Sequence, residues 1–408
     1  MNMPVLPRTE WREAKGLKRV IEALADAHGG PRIVGGAVRD SLLGLAVTDV
    51  DLATILLPET VIARLEAVRI KAVPTGLSHG TVTAVVDGKN YEITTLRRDV
   101  ATDGRRATVS FATDWREDAA RRDFTINALY ADPESGEIFD YFGGLEDLRN
   151  HTVRFIGDAS QRIAEDHLRI LRYFRFLARF GDGVVDAQAI TACASAANSL
   201  LALSRERIAS ELLKLLGLPD PRRAVVLMVE HSIFASFLPE LADNAAVALD
   251  RLLAREQTYA LKPSLPARIL SLLPRDRDIA QNVAMRLKLS NAMRADMVAR
   301  VKGAPPATDN IRALAYHANI DCARDAAMLF ADDDEFAACM ERLDCWTVPQ
   351  FSIKGGDLIA RGLPMGPLVA RTLKVIEAQW IAENFANHRI PAITDQAIAD
   401  ALLVSRNA

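Results

Sequence analysis

Ile33-Val34-Gly35-Gly36-Ala37-Val38-Arg39-Asp40, followed by Asp49-Val50-Asp51-Leu52-Ala53-Thr54, is the stretch on which the fold turns. Arg32-Ile33-Val34 reads as a strand end, and Gly35-Gly36 opens a short helix from Ala37 to Leu43. Gly44 is placed to stop that helix in a left-handed conformation. Thr48 to Ala53 alternates polar and apolar residues, as a half-buried strand does. On such a strand Asp49 and Asp51 point to one side, with Cα atoms roughly 6.5 Å apart. Acids that close repel each other unless a cation stands between them, and magnesium prefers carboxylate oxygens. Two such ions roughly 4 Å apart can activate an attacking hydroxyl and stabilise a departing pyrophosphate. Glu92, between Tyr91 and Ile93 on another predicted strand, is either a third carboxylate or a surface residue. A helix N-terminus offers N–H groups and a positive dipole end to a phosphate. The glycines allow close approach, and Arg39 adds a charge-assisted donor. An isolated Asp-x-Asp is as well explained by a solvated turn. In the order strand, Gly-Gly, helix, acidic strand, it sets a triphosphate cradle beside a metal site.

Around this stretch short strands and helices alternate up to about Asn150. Thr81 to Val86 and Tyr91 to Leu96 flank Asp87-Gly88-Lys89-Asn90, a hairpin signal. A second hairpin joins Ala128–Ala131 to Glu137–Tyr141 through Asp132-Pro133-Glu134-Ser135-Gly136. Between the hairpins, Arg97 to Glu117 is polar and charge-rich and reads as containing a mobile loop. Beyond Asn150 the strand signals fade. Ile163, Ile170, Phe174 and Leu177 recur at helical spacing, as do Ile208, Leu212 and Leu215. Successive helices are broken at Pro219-Asp220-Pro221, Pro239, Lys262 to Pro266 and Gly303 to Pro306. The expected class is α+β, a mixed-sheet head followed by an all-α neck, body and tail. Expected domains are 1–148, 149–218 and 219–408.

With 408 residues, half of them hydrophobic and a quarter charged, the chain has the balance of a soluble globular protein of several domains. Cys193, Cys322, Cys339 and Cys345 are scattered, which favours free thiols in a reducing compartment over a disulfide framework. Met1 to Leu17 lacks the apolar core of a signal peptide, and no apolar run is long enough to cross a bilayer. The expected location is cytoplasmic. The net charge of −3 does not announce a nucleic-acid binder. From Arg149 to Gly181, however, seven arginines face three acids. That excess fits either a phosphate-facing groove or a solvated helix face.

The segments 33–40 and 49–54 resemble the head of the nucleotidyltransferase superfamily that includes DNA polymerase β. More narrowly, they are similar to the bacterial and eukaryotic class of CCA-adding tRNA nucleotidyltransferases and to bacterial poly(A) polymerases. Arg121-Arg122-Asp123-Phe124-Thr125-Ile126-Asn127-Ala128-Leu129 is similar to that family's ribose- and triphosphate-contacting motif. Asp140 with Gly143-Gly144 looks like its hinge between head and neck. Glu165-Asp166-His167-Leu168-Arg169-Ile170-Leu171-Arg172 looks like its base-selecting helix. Arg205-Glu206-Arg207-Ile208 with Glu211 resembles a further, less defined motif, and Gly355-Gly356-Asp357-Leu358 a tail element of some members. No His-Asp metal-phosphohydrolase motif follows.

The resemblance implies magnesium, two ions held by Asp49 and Asp51, with Glu92 shaping the site or accepting a proton. It implies CTP and ATP as substrates and a tRNA 3′ end as acceptor, with no membrane partner. Gly35, Gly36, Arg39, Arg122, Asp123 and Asn127 would bind the nucleotide. Asp140, Gly143, Gly144, Glu165, Arg172 and Arg207 would act as hinge or support. A mobile loop between Asp103 and Trp115 is implied by position only. Asp123 and Asn127, four apart, can both face a ribose if their stretch is helical; alternatively Asp123 caps that helix. Phe124 and Ile126 read as core. Asp166 and Arg169, three apart on a predicted helix, are neighbours on one face and complement the amino and ring-nitrogen edge of cytosine or adenine. Uracil and guanine present the reverse edge, and each mismatched buried group costs roughly 1–3 kcal/mol. An isolated Asp-x-x-Arg would be a surface ion pair; the resemblance makes it the template. Poly(A) addition, CC-only or A-only addition, and a non-catalytic RNA-binding role remain the alternatives.

Overall fold

A computed structural model describes residues 5–27, 29–102 and 107–406. The chain forms two compact units, Met1–Pro239 and Glu240–Ala408.

In the first unit, nine strands are β1 (Arg32–Val34), β2 (Val50–Thr54), β3 (Lys71–Gly76), β4 (Thr81–Val86), β5 (Lys89–Thr95), β6 (Arg97–Thr102), β7 (Ala107–Phe111), β8 (Leu129–Ala131) and β9 (Ile138–Asp140). Seven of them build one mixed sheet in the order β3-β4-β5-β2-β1-β8-β9, and only β2 and β5 run parallel. The hairpin read at Asp87-Gly88 turns through positive φ at both residues, 52° and 75°, as a two-residue turn requires. The second hairpin forms between β8 and β9.

Its helices are α1 (Lys15–Ala23), α2 (Gly36–Leu42), α3 (Pro58–Ala67), α4 (Trp115–Ala120), α5 (Gly144–Arg149), α6 (Ala159–Glu165), α7 (Arg169–Phe180), α8 (Ala187–Ser195), α9 (Arg205–Leu216) and α10 (Arg222–Glu230). Gly44 takes φ 68° just after α2, as expected of a helix stop. Ile33, Val38, Leu52, Ile93, Phe124, Ile126 and Leu129 are buried to 1 % exposure or less, so the sheet's centre is apolar. Burying each such side chain stabilises by roughly 1.5–3 kcal/mol.

Three expectations are corrected. The acidic strand starts at Val50, not Thr48, because its ladder to β5 begins at Val50 opposite Tyr91. Asp49 therefore stands immediately before the strand, accepting a hydrogen bond from the Thr48 hydroxyl at 3.0 Å. The segment from Arg97 to Glu117 is not a simple loop: β6 and β7 pair antiparallel, and Asp114 caps α4 by accepting from the Arg116 amide. Residues 103–106 of the expected loop between Asp103 and Trp115 lie outside the described residues. Finally, the periodic run from Ile163 to Leu177 is two helices, α6 and α7, separated at Asp166.

Much of the positive charge of the arginine-rich segment is paired with acids, although Arg149, Arg154 and Arg179 stay partly exposed. Arg154, Arg162, Arg169, Arg172, Arg175 and Arg179 pair with Asp147, Glu165 (twice), Asp123, Glu211 and Asp40. Glu165 is a local partner, but Asp123, Glu211 and Asp40 come from distant sequence, which a local count of charge misses.

The second unit is helical, from Ala245–Thr258 to Ile390–Arg406. Trp380, Ile376, Leu358 and Ile393 centre an apolar cluster around the Gly355–Ala360 helix. Two ion pairs, Arg268–Glu256 and Arg300–Asp325, are buried inside it. All four cysteines are free. Among the described residues, no helix is long and apolar enough to cross a membrane.

Candidate active site

The registers of the sheet put one row of residues side by side: Glu92 on β5, Asp51 on β2, Val34 on β1, Tyr130 on β8 and Phe139 on β9. Row partners point to the same face, with neighbouring strands about 4.8 Å apart. Glu92 is thus the direct neighbour of Asp51, and Asp49 lies two residues away along the chain. All three are exposed. Solvent reaches Asp51 from the open side, while protein crowds it elsewhere. That crowding, then the charge of Glu92, and lastly Asp49, push its pKa up to about 6, against the pull of Arg122.

An acid cluster left short of positive charge suits a hard cation with oxygen ligands. Among the described residues, no three His, Cys, Asp or Glu side chains are gathered closely enough to hold a metal by themselves. Magnesium, however, usually takes one or two carboxylates and completes its shell with water and substrate phosphate. Asp49 and Asp51 fit that donor set.

Next to the acids, Gly35 adopts φ 68° at the N-terminal end of α2. A Cβ there would stand 3.6 Å from Arg122 Nη1 and 3.5 Å from the Asn127 carbonyl. Arg122, influencing Asp51 and lying beside the Gly35 turn, brings the two expected halves of the site together. Its Nε donates to the Tyr130 hydroxyl at 3.2 Å and its Nη2 to Asp118 at 3.2 Å.

Arg39, expected as a phosphate donor, is buried and committed elsewhere. Its Nε and Nη2 bind Asp40 at 2.8 and 2.7 Å, its Nη1 donates to Asn127 Oδ1, and Phe180 lies 4.3 Å beneath it. The guanidinium ties α2 to Asn127 instead of projecting into the cleft. Asp123 and Asn127 do come together, Nδ2 to Oδ1 at 2.9 Å, but on a 3-10 turn, not an α-helix. Nor does Asp123 cap a helix: its second oxygen takes Arg172 Nε at 2.8 Å. Burial alone would raise its pKa; Arg172, Asn127 and the Phe124 amide outweigh that and hold it low. Phe124 and Ile126 are core residues, as read.

Asp166 and Arg169 do not share a helix. Asp166 follows the end of α6 in extended conformation and its side chain accepts from the Leu168 amide at 3.1 Å, while Arg169 opens α7. The extended turn breaks the helical register that sequence spacing assumed. Asp166 is paired with Arg207 at 2.8 Å, and Arg169 with Glu165 at 2.6 Å. Arg169 also donates to the carbonyl of Arg121, the first residue of the Arg121-Arg122-Asp123 run, at 2.9 Å. Glu165, Arg207 and Arg172 are thus the ion-pair partners of Arg169, Asp166 and Asp123.

Asp140 accepts the amides of Phe142, Gly143, Gly144 and Leu145 at 2.9–3.1 Å, clamping the start of α5. Gly143 has φ 79°, and a Cβ on Gly144 would fall 2.3 Å from the Thr125 carbonyl. Positive φ explains Gly143, and close backbone approach explains Gly144.

Two residues of the site were missed from sequence. Asp118 is buried and accepts from Tyr130 at 2.6 Å, from Arg121 at 2.8 Å and from Arg122. Burial opposes its charge, but Arg122, Arg121 and Tyr130 prevail and hold its pKa down to about 2. The available signal was its place three and four residues before the two arginines on a helix. Tyr130 carried no signal beyond its strand.

Known proteins are similar to this chain in sequence and fold. Residues 31–154 match the family model described as the poly A polymerase head domain, and residues 185–244 one described as a probable RNA and SrmB-binding site of polymerase A. The human protein named CCA tRNA nucleotidyltransferase 1, mitochondrial, is 34% identical over 90% of this chain and 86% of its own length. The chain belongs to the CCA tRNA nucleotidyltransferase family. A CCA-adding enzyme of the family from Limosilactobacillus reuteri is 32% identical over 91% of this chain and 92% of its own. The crystal structure of the Bacillus stearothermophilus CCA-adding enzyme in complex with CTP superposes with TM-score 0.76. It is 29% identical, covering 97% of this chain and 99% of that one. The mixed-sheet head and helical body are therefore those of this enzyme family.

Proposed function

We propose that this protein adds C, C and A in turn to the 3′ end of tRNA, from CTP and ATP and without a nucleic-acid template, releasing pyrophosphate. The observation that carries the reading is the adjacency of Glu92, Asp51 and the Gly35 turn, with Arg122 between acid and glycine.

Asp49 and Asp51 would hold magnesium, which supplies Lewis-acid activation of the 3′-hydroxyl and charge neutralisation at the phosphates. The Gly35-Gly36 turn leaves room for a triphosphate to approach the backbone. Arg122 presents a fixed positive charge to it, and Glu92 keeps the acid cluster electron-rich or accepts the hydroxyl proton. Arg39 and Arg172 position Asn127 and Asp123 against the ribose. Asp166 and Arg169 would read the base edge, held in place by Arg207 and Glu165. Both sit at the α6–α7 break, Asp166 just after α6 and Arg169 opening α7. A carboxylate acceptor beside a guanidinium donor matches cytosine and adenine and leaves uracil and guanine mismatched.

The decisive experiment incubates the protein with tRNA lacking its 3′ terminus, magnesium, and CTP and ATP singly and together. Two C's followed by one A is the expected product. A lengthening A ladder with ATP alone would replace the reading with poly(A) addition, the activity named by the matching head model. Arrest after CC, or A addition only to tRNA ending in CC, would narrow it to a partial activity. Chelation of magnesium should stop every one of these products.

A further inference from the structure

We propose that Asp118 and Tyr130 are positioning residues that hold the Arg122 guanidinium with its Nη1 edge turned to the nucleotide. The inference rests on the reading above that Arg122 contacts the nucleotide.

A guanidinium is a planar fork, so fixing one edge aims the other. Here Nε and Nη2 of Arg122, one edge of the fork, are taken by Tyr130 Oη and Asp118 Oδ2, both at 3.2 Å. The Tyr130 hydroxyl spends its own proton on Asp118 Oδ2 at 2.6 Å, which leaves its oxygen lone pairs free to accept from Arg122. The three groups close a ring of hydrogen bonds in which every donor has an acceptor. Nη1 lies outside that ring. It stands 3.6 Å from the point where a side chain on Gly35 would begin, so it faces the glycine turn.

The ring is itself anchored. Tyr130 occupies the sheet row between Val34 and Phe139, which fixes the height of its hydroxyl above the sheet. Trp115 packs edge-on against its ring at 5.5 Å. The other oxygen of Asp118 takes Arg121 at 2.8 Å and the Arg97 amide at 3.3 Å. Neither acceptor can follow Arg122 if it swings away. Arg39 offers the contrast: its Nε, Nη1 and Nη2 are all used inside the protein, as a purely structural arginine's would be. Holding a long side chain in its working rotamer beforehand spares the ordering cost when a phosphate or ribose oxygen arrives.

The test is steady-state CTP addition by the full chain carrying Tyr130→Phe, Asp118→Asn, Arg122→Lys and the pair Tyr130→Phe with Arg122→Lys. Tyr130→Phe keeps the ring and its packing, so it should fold with a Tm near wild type. It should raise the nucleotide KM about tenfold with kcat nearly unchanged. In the Arg122→Lys background the same change should cost nothing further, because the fork it aims is gone. An unaltered KM in Tyr130→Phe, or losses that multiply in the double variant, would overturn the proposal. Wild-type kinetics in Arg122→Lys would instead remove its premise, the nucleotide contact of Arg122. Should Asp118→Asn fold poorly, the isosteric Tyr130→Phe still decides.

Discussion

Asp51 and Asp118 are the same residue type on either side of one arginine, with opposite fates. Asp118 is buried, yet two arginines and a tyrosine hold its pKa down to about 2. Asp51 is open to solvent, yet crowding and the neighbouring acids push its pKa up to about 6. Arg122 lowers both. Solvent exposure alone therefore predicts neither. The difference lies in who supplies the compensating charge: the protein does so for Asp118 but not for Asp51, which fits the proposal that a cation arrives there with the substrate. A site that must capture a cation keeps its carboxylates under-neutralised; a site that must aim a cation over-neutralises them.

The sharpest break of this contrast is removal of each acid in turn. Asp51→Ala should lower CCA addition by about 10³-fold, since a metal ligand supplies several kcal/mol at the transition state. Binding of tRNA should persist, and retained turnover in a single-turnover assay would withdraw the metal-ligand role. Asp118→Ala should instead act on the fold. It strands Arg122 partly buried without its partner, a loss of about 3–5 kcal/mol in urea unfolding. The sign with pH follows from the lowered pKa. Asp118 contributes its stabilisation above the unfolded value of about 4, and the contribution disappears as pH falls from there towards 2. Wild type and Asp118→Asn should therefore converge in stability at the acid end; a constant gap down to pH 2 would contradict the assignment.

The asymmetry also explains what was legible in the sequence. Gly35-Gly36, Asp51 and the Asp87-Gly88 turn were readable because each depends on local geometry: a positive φ, a period of two, a tight hairpin. Asp140 and Gly144 were readable by resemblance, and their clamp is again local. The pairing of Glu92 with Asp51 needed the parallel register of β2 and β5, which sequence left open. Arg39 was misplaced because its partner Asn127 is 88 residues away. Part of the balance in the arginine-rich segment was hidden for the same reason: Arg179 finds Asp40, and Arg172 finds Asp123. The helix assumed for Asp166 and Arg169 failed at one extended residue, where the Asp166 side chain caps the following turn in place of continuing the ladder. Long-range charge pairing and a one-residue break carry almost no periodic signal.

A smaller effect separates the two acids by pH under turnover. If Asp51 must be ionised to take its cation, kcat/KM measured at limiting magnesium should fall as pH drops through about 6. The decline should approach tenfold per pH unit, reaching about tenfold at pH 5 relative to neutral. Asp118, already ionised throughout this range, contributes no inflection. An acid limb near 4 instead would mean that Asp51 is compensated in the free enzyme, and the contrast between the two residues would shrink.

The smallest effect concerns stability, and it has the opposite sign to that of Asp118. A carboxyl whose folded pKa is raised favours the folded state while it keeps its proton. Between about pH 4, where the unfolded chain releases that proton, and about pH 6, where the folded one does, stability falls with rising pH. Above pH 6 the ionised carboxylate imposes its full penalty. Asp51→Asn should remove that penalty and raise stability at pH 7.5 by about 1 kcal/mol, a figure discounted because solvent reaches the group. Below pH 4 the variant and wild type should unfold alike. Added magnesium and CTP should then stabilise wild type more than the variant, closing or reversing the gap, because the cation supplies the compensation that the protein withholds. If Asp51→Asn is no more stable than wild type at pH 7.5 without magnesium, the carboxylate is already neutralised from within, and the site is not kept waiting for a metal.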